Sequence, residues 1–100
     1  MKYRVEFVDV ADDEVLEIFD WIADESLDAA VRWRKGLDKS VARLSTFPRS
    51  CPVAPESRVL GIEVRRLNYG DYRLLYRIVG RVVRVLHVRH GARRRLGEEE

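Results

Sequence analysis

One hundred residues, 46% of them hydrophobic and 36% charged, make one globular domain with a thin core. That balance excludes a disordered chain, and no apolar run approaches the ~20 residues needed to span a bilayer. The formal net charge of +2 conceals an opposition: residues 1–30 hold ten acids against Lys2 and Arg4, while residues 31–95 hold seventeen bases against Asp38, Glu56, Glu63 and Asp71. The basic part points to a polyanion or an acidic protein as partner. Only Lys2, Lys35 and Lys39 are lysines. Arginine suits bidentate contacts to phosphate and carboxylate, though a GC-rich genome enriches it too. Cys51 is the single cysteine and the N-terminus lacks a signal-peptide core, so a cytoplasmic location is expected.

Residues 3–8 alternate with period two and predict a strand. Asp9 is placed to cap a helix over residues 10–25, and Asp12, Asp13 and Glu14 favour its N-terminal end. Ala11, Val15, Ile18, Phe19 and Ile22 form its apolar stripe, with Asp13, Glu17, Asp20 and Asp24 opposite. Ser26 is placed to cap a second helix over residues 27–46, whose stripe is Ala30, Trp33, Leu37, Val41 and Leu44. Its polar side carries Arg32, Lys35, Lys39 and Arg43. An acidic helix joined closely to a basic one reads as an antiparallel hairpin, whose charges either pair across it or stand in water.

Residues 47–58 hold all three prolines and predict a loop. Three strand-like runs follow, over residues 61–67, 71–79 and 82–90. The expected fold is α+β in the order β-α-α-β-β-β, with the N-terminal helical hairpin packed on one face of an antiparallel sheet. Phe19, Trp33, Leu74 and Tyr76 are expected to lie buried between the two layers.

Gly80-Arg81 has the Gly-X form of a two-residue type II′ turn and sets a register. Val79 then faces Val82, Arg77 faces Arg84, Leu75 faces Leu86 and Arg73 faces Val88. Alternation puts Tyr72, Leu74, Tyr76, Ile78, Val83, Val85 and His87 on the helix side. Arg73, Arg77, Arg84 and His90 go to the other side. With Tyr69-Gly70 as the loop of the other hairpin, Arg66 faces Arg73 and joins them. Arg77 opposite Arg84 is an unfavourable like-charge pair. It suggests either a face that meets an anion or arginines that splay into water over Leu75 and Leu86.

The stretch Val64-Arg-Arg-Leu-Asn-Tyr-Gly-Asp-Tyr-Arg-Leu-Leu-Tyr-Arg-Ile78 resembles the strand–turn–strand core of RelE/ParE toxins, nearer the ParE-like branch. Val85-Leu-His-Val-Arg-His-Gly-Ala-Arg-Arg94 is similar to the last strand of that superfamily, and the resemblance covers nearly the whole chain. It implies the toxin of a type II toxin–antitoxin pair, of the plasmid-stabilisation kind, held silent in a hetero-oligomer by an antitoxin. RelE-like members cut messenger RNA in the ribosomal A site; ParE-like members poison DNA gyrase and hydrolyse nothing. No membrane, cofactor or metal is implied.

For a nuclease the resemblance assigns Arg73 to charge stabilisation, with Arg66 and His90 beside it and Glu56 or Glu63 as a base. Against that role, Val64 stands where the RelE-like pattern has a lysine, and no tyrosine follows Tyr76. A gyrase poison is therefore the first expectation and a ribosome-dependent endonuclease the second. A partner-binding relative without toxicity is the third. In each case Arg65, Arg77, Arg84, Arg89, Arg93, Arg94 and Arg95 are the residues expected to meet the target or the antitoxin.

Overall fold

The computed structural model describes residues 2–91. Strand β1 (Arg4–Phe7) leads into helix α1 (Asp9–Ala23), and helix α2 (Leu27–Ala42) returns antiparallel to it, ending in a 3₁₀ turn at Arg43–Ser45. A single helical turn, α3 (Ser57–Leu60), interrupts the proline-rich stretch. Strands β2 (Arg65–Tyr69), β3 (Tyr72–Val79) and β4 (Val82–His90) follow. The order across the sheet is β1-β4-β3-β2, with β2, β3 and β4 antiparallel and β1 parallel to β4. No helix among the described residues is long and apolar enough to cross a membrane.

Ser26 caps α2, its hydroxyl accepting from the Ala29 amide at 3.1 Å. Asp9 does not cap α1. Val8 holds the cap position, and Asp9 opens the helix, where its charge meets the positive dipole end. Ala11 and Val15 of α1 and Ala30, Leu37 and Val41 of α2 are buried. They pack with Leu74, Tyr76, Val83, Val85 and Val88 of the sheet. Leu74 and Tyr76 are buried as expected, but Phe19 and Trp33 are only half-buried, and Phe19 takes no part in the main core cluster. The acids and bases of the hairpin do not pair across it: Glu14 turns to β4 and Arg34 pairs with Asp38 on its own helix.

Two register expectations are corrected. The β2–β3 loop is Gly70-Asp71, not Tyr69-Gly70, because glycine occupies the first loop position at φ +55°, as Gly80 does at +57° in the next hairpin. Tyr69 thereby stays in β2 opposite Tyr72, while Asn68 faces Arg73 and Arg66 faces Leu75. In β3–β4 the expected pairs hold from Val79↔Val82 to Tyr76↔Val85. A β-bulge then makes Leu75 face His87 and Arg73 face Arg89, so the second half of β4 is shifted by one residue.

Tyr69 explains a glycine inside α2. Its hydroxyl donates to the Trp33 carbonyl at 2.9 Å, and a Cβ on Gly36 would stand 2.1 Å from that oxygen. Gly36→Ala should destabilise by ~1–3 kcal/mol through overpacking, less the ~1 kcal/mol by which alanine favours a helix. In a Tyr69→Ala background the same change should become neutral or stabilising. Urea unfolding of the four-member cycle measures the coupling, and additivity would sink the contact as the reason for Gly36.

Candidate functional site

The outer face of the sheet, away from the helical hairpin, carries Arg66 on β2, Arg73 and Arg77 on β3, and Arg84 and Arg89 on β4. Arg77 does face Arg84 across the hairpin. The face is not open, however. The chain before β2 folds back over it, so that Ala54 and Val64 bury Leu75, with Ile62 and Leu86 alongside. Backbone bonds pin this cover: the Ala54 amide donates to the Val64 carbonyl, and the Arg66 amide to the Pro52 carbonyl. Ser57 locks the turn by accepting from the Val64 amide and donating to the Val64 carbonyl.

Under this cover lies Glu56, the one buried charged residue among those described. Its Oε2 accepts from the Arg73 guanidinium at 2.5 Å, and Oε1 has no hydrogen-bond partner. Two further arginines of the face have carboxylates: Arg84 lies 3.3 Å from Glu6 of the neighbouring strand β1, and Arg89 lies 3.3 Å from Glu14. Arg66 and Arg77 have no ion-pair partner among the described residues.

Arg65 points to the helix side, opposite Tyr76. Its guanidinium donates to the carbonyls of Arg49 and Cys51 and meets Glu63, so it staples the proline-rich loop to the sheet. Arg93, Arg94 and Arg95 lie outside the described residues.

The constellation expected from the sequence is not assembled. Arg66 and Arg73 share the outer face, but the bulge carries His90 through to the helix face opposite Tyr72, with ring centroids 5.3 Å apart. It moves His87 the other way, off the helix face, to face Leu75. The reason is parity: one extra residue in β4 inverts every position after it.

Sequence reasoning missed Glu14. Strand β1 pairs with β4 only as far as Val85, which leaves an edge beyond it. Glu14 of α1 closes that edge: Oε1 accepts from the Val88 amide at 2.9 Å, His87 Nδ1 lies 3.2 Å away, and Oε2 accepts from Arg89 at 3.3 Å. Six acids on one helix offered no means of telling this one apart. Glu14→Ala should destabilise by ~1–3 kcal/mol, the cost of leaving a part-buried amide without its acceptor. Faster hydrogen exchange confined to Val88–His90 would localise the effect, and unchanged exchange there would show that the bond is idle.

Next to this edge is a cleft of about 540 Å³. α1 lines it with Glu14, Glu17, Ile18 and Trp21, and β4 with Val88, Arg89 and His90, while Tyr72 of β3 adds an aromatic wall. Trp21 is 69% exposed. No group of three or more metal-ligating side chains occurs among the described residues.

The family model for the ParE toxin of the type II toxin–antitoxin system, parDE, matches residues 5–95. The chain belongs to the ParE toxin family. Comparison of this ParE-family chain with curated proteins gives no significant match. Among solved structures it is similar to a chain of the chromosomal ParDE system from P. aeruginosa, with a TM-score of 0.72 at 16% identity, covering 89% of this chain and 96% of that one. It is also similar to a chain of the toxin–antitoxin complex RelBE2 from Mycobacterium tuberculosis, with a TM-score of 0.57 at 28% identity, covering 90% and 99%. The ParE family assignment thus agrees with the β-α-α-β-β-β order and the helical hairpin on the sheet.

Proposed function

We propose that this ParE-family toxin arrests growth in the cytoplasm by binding DNA gyrase rather than by cutting RNA. We further propose that a small antitoxin with an acidic C-terminal segment silences it in a hetero-oligomer. The observation that carries the choice is the pairing of Arg73 with buried Glu56. A cation that stabilises a developing phosphorane must be free to face it, and Arg73 is already neutralised beneath a folded loop. Separation of His90 from Arg66 and Arg73 by the thickness of the sheet removes the acid from the same reaction. What remains on the outer face is a binding surface, with Arg66 and Arg77 as its uncommitted cations and Arg84 and Arg89 beside them.

Expression in a growing culture tests this reading, with purified gyrase assayed for supercoiling in parallel. Growth should stop with signs of DNA damage, and co-expressed antitoxin should reverse the arrest. Reversing both charges, in Arg66→Glu with Arg77→Glu, should weaken antitoxin binding by on the order of tenfold at low salt and by less as salt rises. Ribosome-associated transcript cleavage that vanishes in a folded Arg66→Gln variant would overturn the gyrase reading in favour of the nuclease.

A further inference from the structure

We infer that the cleft between α1 and β4 receives an arginine side chain of a partner protein, held by Glu17 and Trp21, with an apolar neighbour of that arginine on Ile18 and Val88. The inference does not depend on the toxin's target. Three observations carry it.

The first is charge. Residues 5–31 contain no lysine or arginine, so α1 itself offers only acids to an approaching group. Both oxygens of Glu14 are committed, one to the Val88 amide at 2.9 Å and the other to Arg89 at 3.3 Å. Glu17 lines the same cleft and has neither a hydrogen bond nor an ion pair among the described residues. One carboxylate is therefore left for a cation from outside. Tyr72 and Val88 place the cleft on the helix side of the sheet, away from Arg66 and Arg77 on the outer side.

The second is the form of cation that fits. Glu14, Glu17, Ile18 and Trp21 recur at spacings of three and four, so they lie along one side of α1. The Trp21 indole is 69% exposed beside Glu17, and the Tyr72 ring adds the facing wall. A guanidinium uses both features, with its N–H groups on the carboxylate and its plane on the indole. A lysine ammonium has the charge but lacks the plane.

The third is a frame already in place. Glu14 ties α1 to β4, and Tyr72 packs at steep angles against Trp33 and His90, with centroids 5.3 Å apart in each case. Walls ordered beforehand lose little further freedom when a ligand enters. The cleft, at about 540 Å³, has room for far more than one guanidinium. Ile18 and Val88 give apolar surface to the residue beside the arginine. That favours a protein segment over a free guanidinium compound.

Calorimetric titration of the full-length protein with the peptide acetyl-Leu-Arg-Leu-amide tests the site, and binding should saturate. Lysine or uncharged citrulline in place of the arginine should each weaken it by on the order of tenfold, the scale of one ion pair plus one cation–π contact. Glu17→Gln and Trp21→Ala should weaken it to a similar extent. Asp20→Asn, on the same helix but outside the cleft, should leave it unchanged. In Trp33→Phe, where Trp21 is the only indole, the peptide should shift the emission. Absence of binding, equal affinity for all the peptides, or full affinity in Glu17→Gln would overturn the proposal. Free arginine that bound as tightly as the peptide would overturn the assignment to a protein partner. Trp21 emission that changed with protein concentration alone would also overturn it, because the occupant would then be a second copy.

Discussion

Arg73→Ala should destabilise the domain by about 3–5 kcal/mol, enough to leave a chain of this size largely unfolded at physiological temperature. The cause is Glu56. Its carboxylate is wholly buried and bonded through one oxygen to Arg73 alone, so removing the guanidinium strands a negative charge under the loop. Replacing both partners by apolar residues of similar volume, Arg73→Met with Glu56→Leu, should be neutral or stabilising by up to ~4 kcal/mol, since two desolvated charges disappear together. Guanidinium unfolding of the two single variants and the double variant decides the matter. Wild-type stability in Arg73→Ala would mean that the pair is open to water and that Arg73 is available to a ligand. Loss of toxicity in that variant must accordingly be read beside its melting curve.

Tyr76→Ala should cost about 3–5 kcal/mol, because Tyr76 is fully buried at the centre of the core and its hydroxyl donates to the Pro48 carbonyl at 2.5 Å. Tyr76→Phe should cost ~1–3 kcal/mol through the carbonyl left without a donor. Burial, and then the neighbouring Cys51 thiol, push the phenol well above its ordinary range. A raised folded pKa means that the stability tied to the protonated phenol is complete below the unfolded value. It is lost as pH rises above that value toward the folded one. Stability should therefore fall from about pH 10 upward, with Tyr76 contributing roughly 1.4 kcal/mol per pH unit at most. Tyr76→Phe should remove that share of the slope. An alkaline transition identical in the two proteins would assign it to other groups.

The layered fold was legible in the chain because its signals are local. The stripe of Ala30, Leu37, Val41 and Leu44 repeats at helical spacing, Ser26 caps, and Gly80-Arg81 admits one hairpin. The arrangement on the outer face was not legible, because it depends on contacts between distant segments. Nothing in residues 47–64 announces that the proline-rich loop will turn back and bury Glu56 against β3. The parallel pairing of β1 was equally hidden, since four residues of alternating pattern fit either edge and either direction. A half-exposed Phe19 shows the limit of stripe counting: a helix lying at the margin of a sheet buries only part of its apolar side.

The bulge did leave a trace. Arg84 and Arg89 sit at positions of opposite parity, yet both belong on the solvent-facing side, which requires one unpaired residue between them. Val85-Leu86 supplies it, two apolar residues in succession where strict alternation would place one.

That single residue also gives the end of the chain an unusual evolutionary lever. Without the bulge, an unbroken β4 of the same length would pair Leu75 with Leu86 and Arg73 with Val88 and exchange the sides on which Arg89 and His90 emerge, while both hairpin turns, the helices and β1 kept their places. The chemistry displayed on either side of this scaffold is thus set by counting as much as by composition. Relatives that share the histidine–basic ending in sequence need not present it to the same side of the sheet.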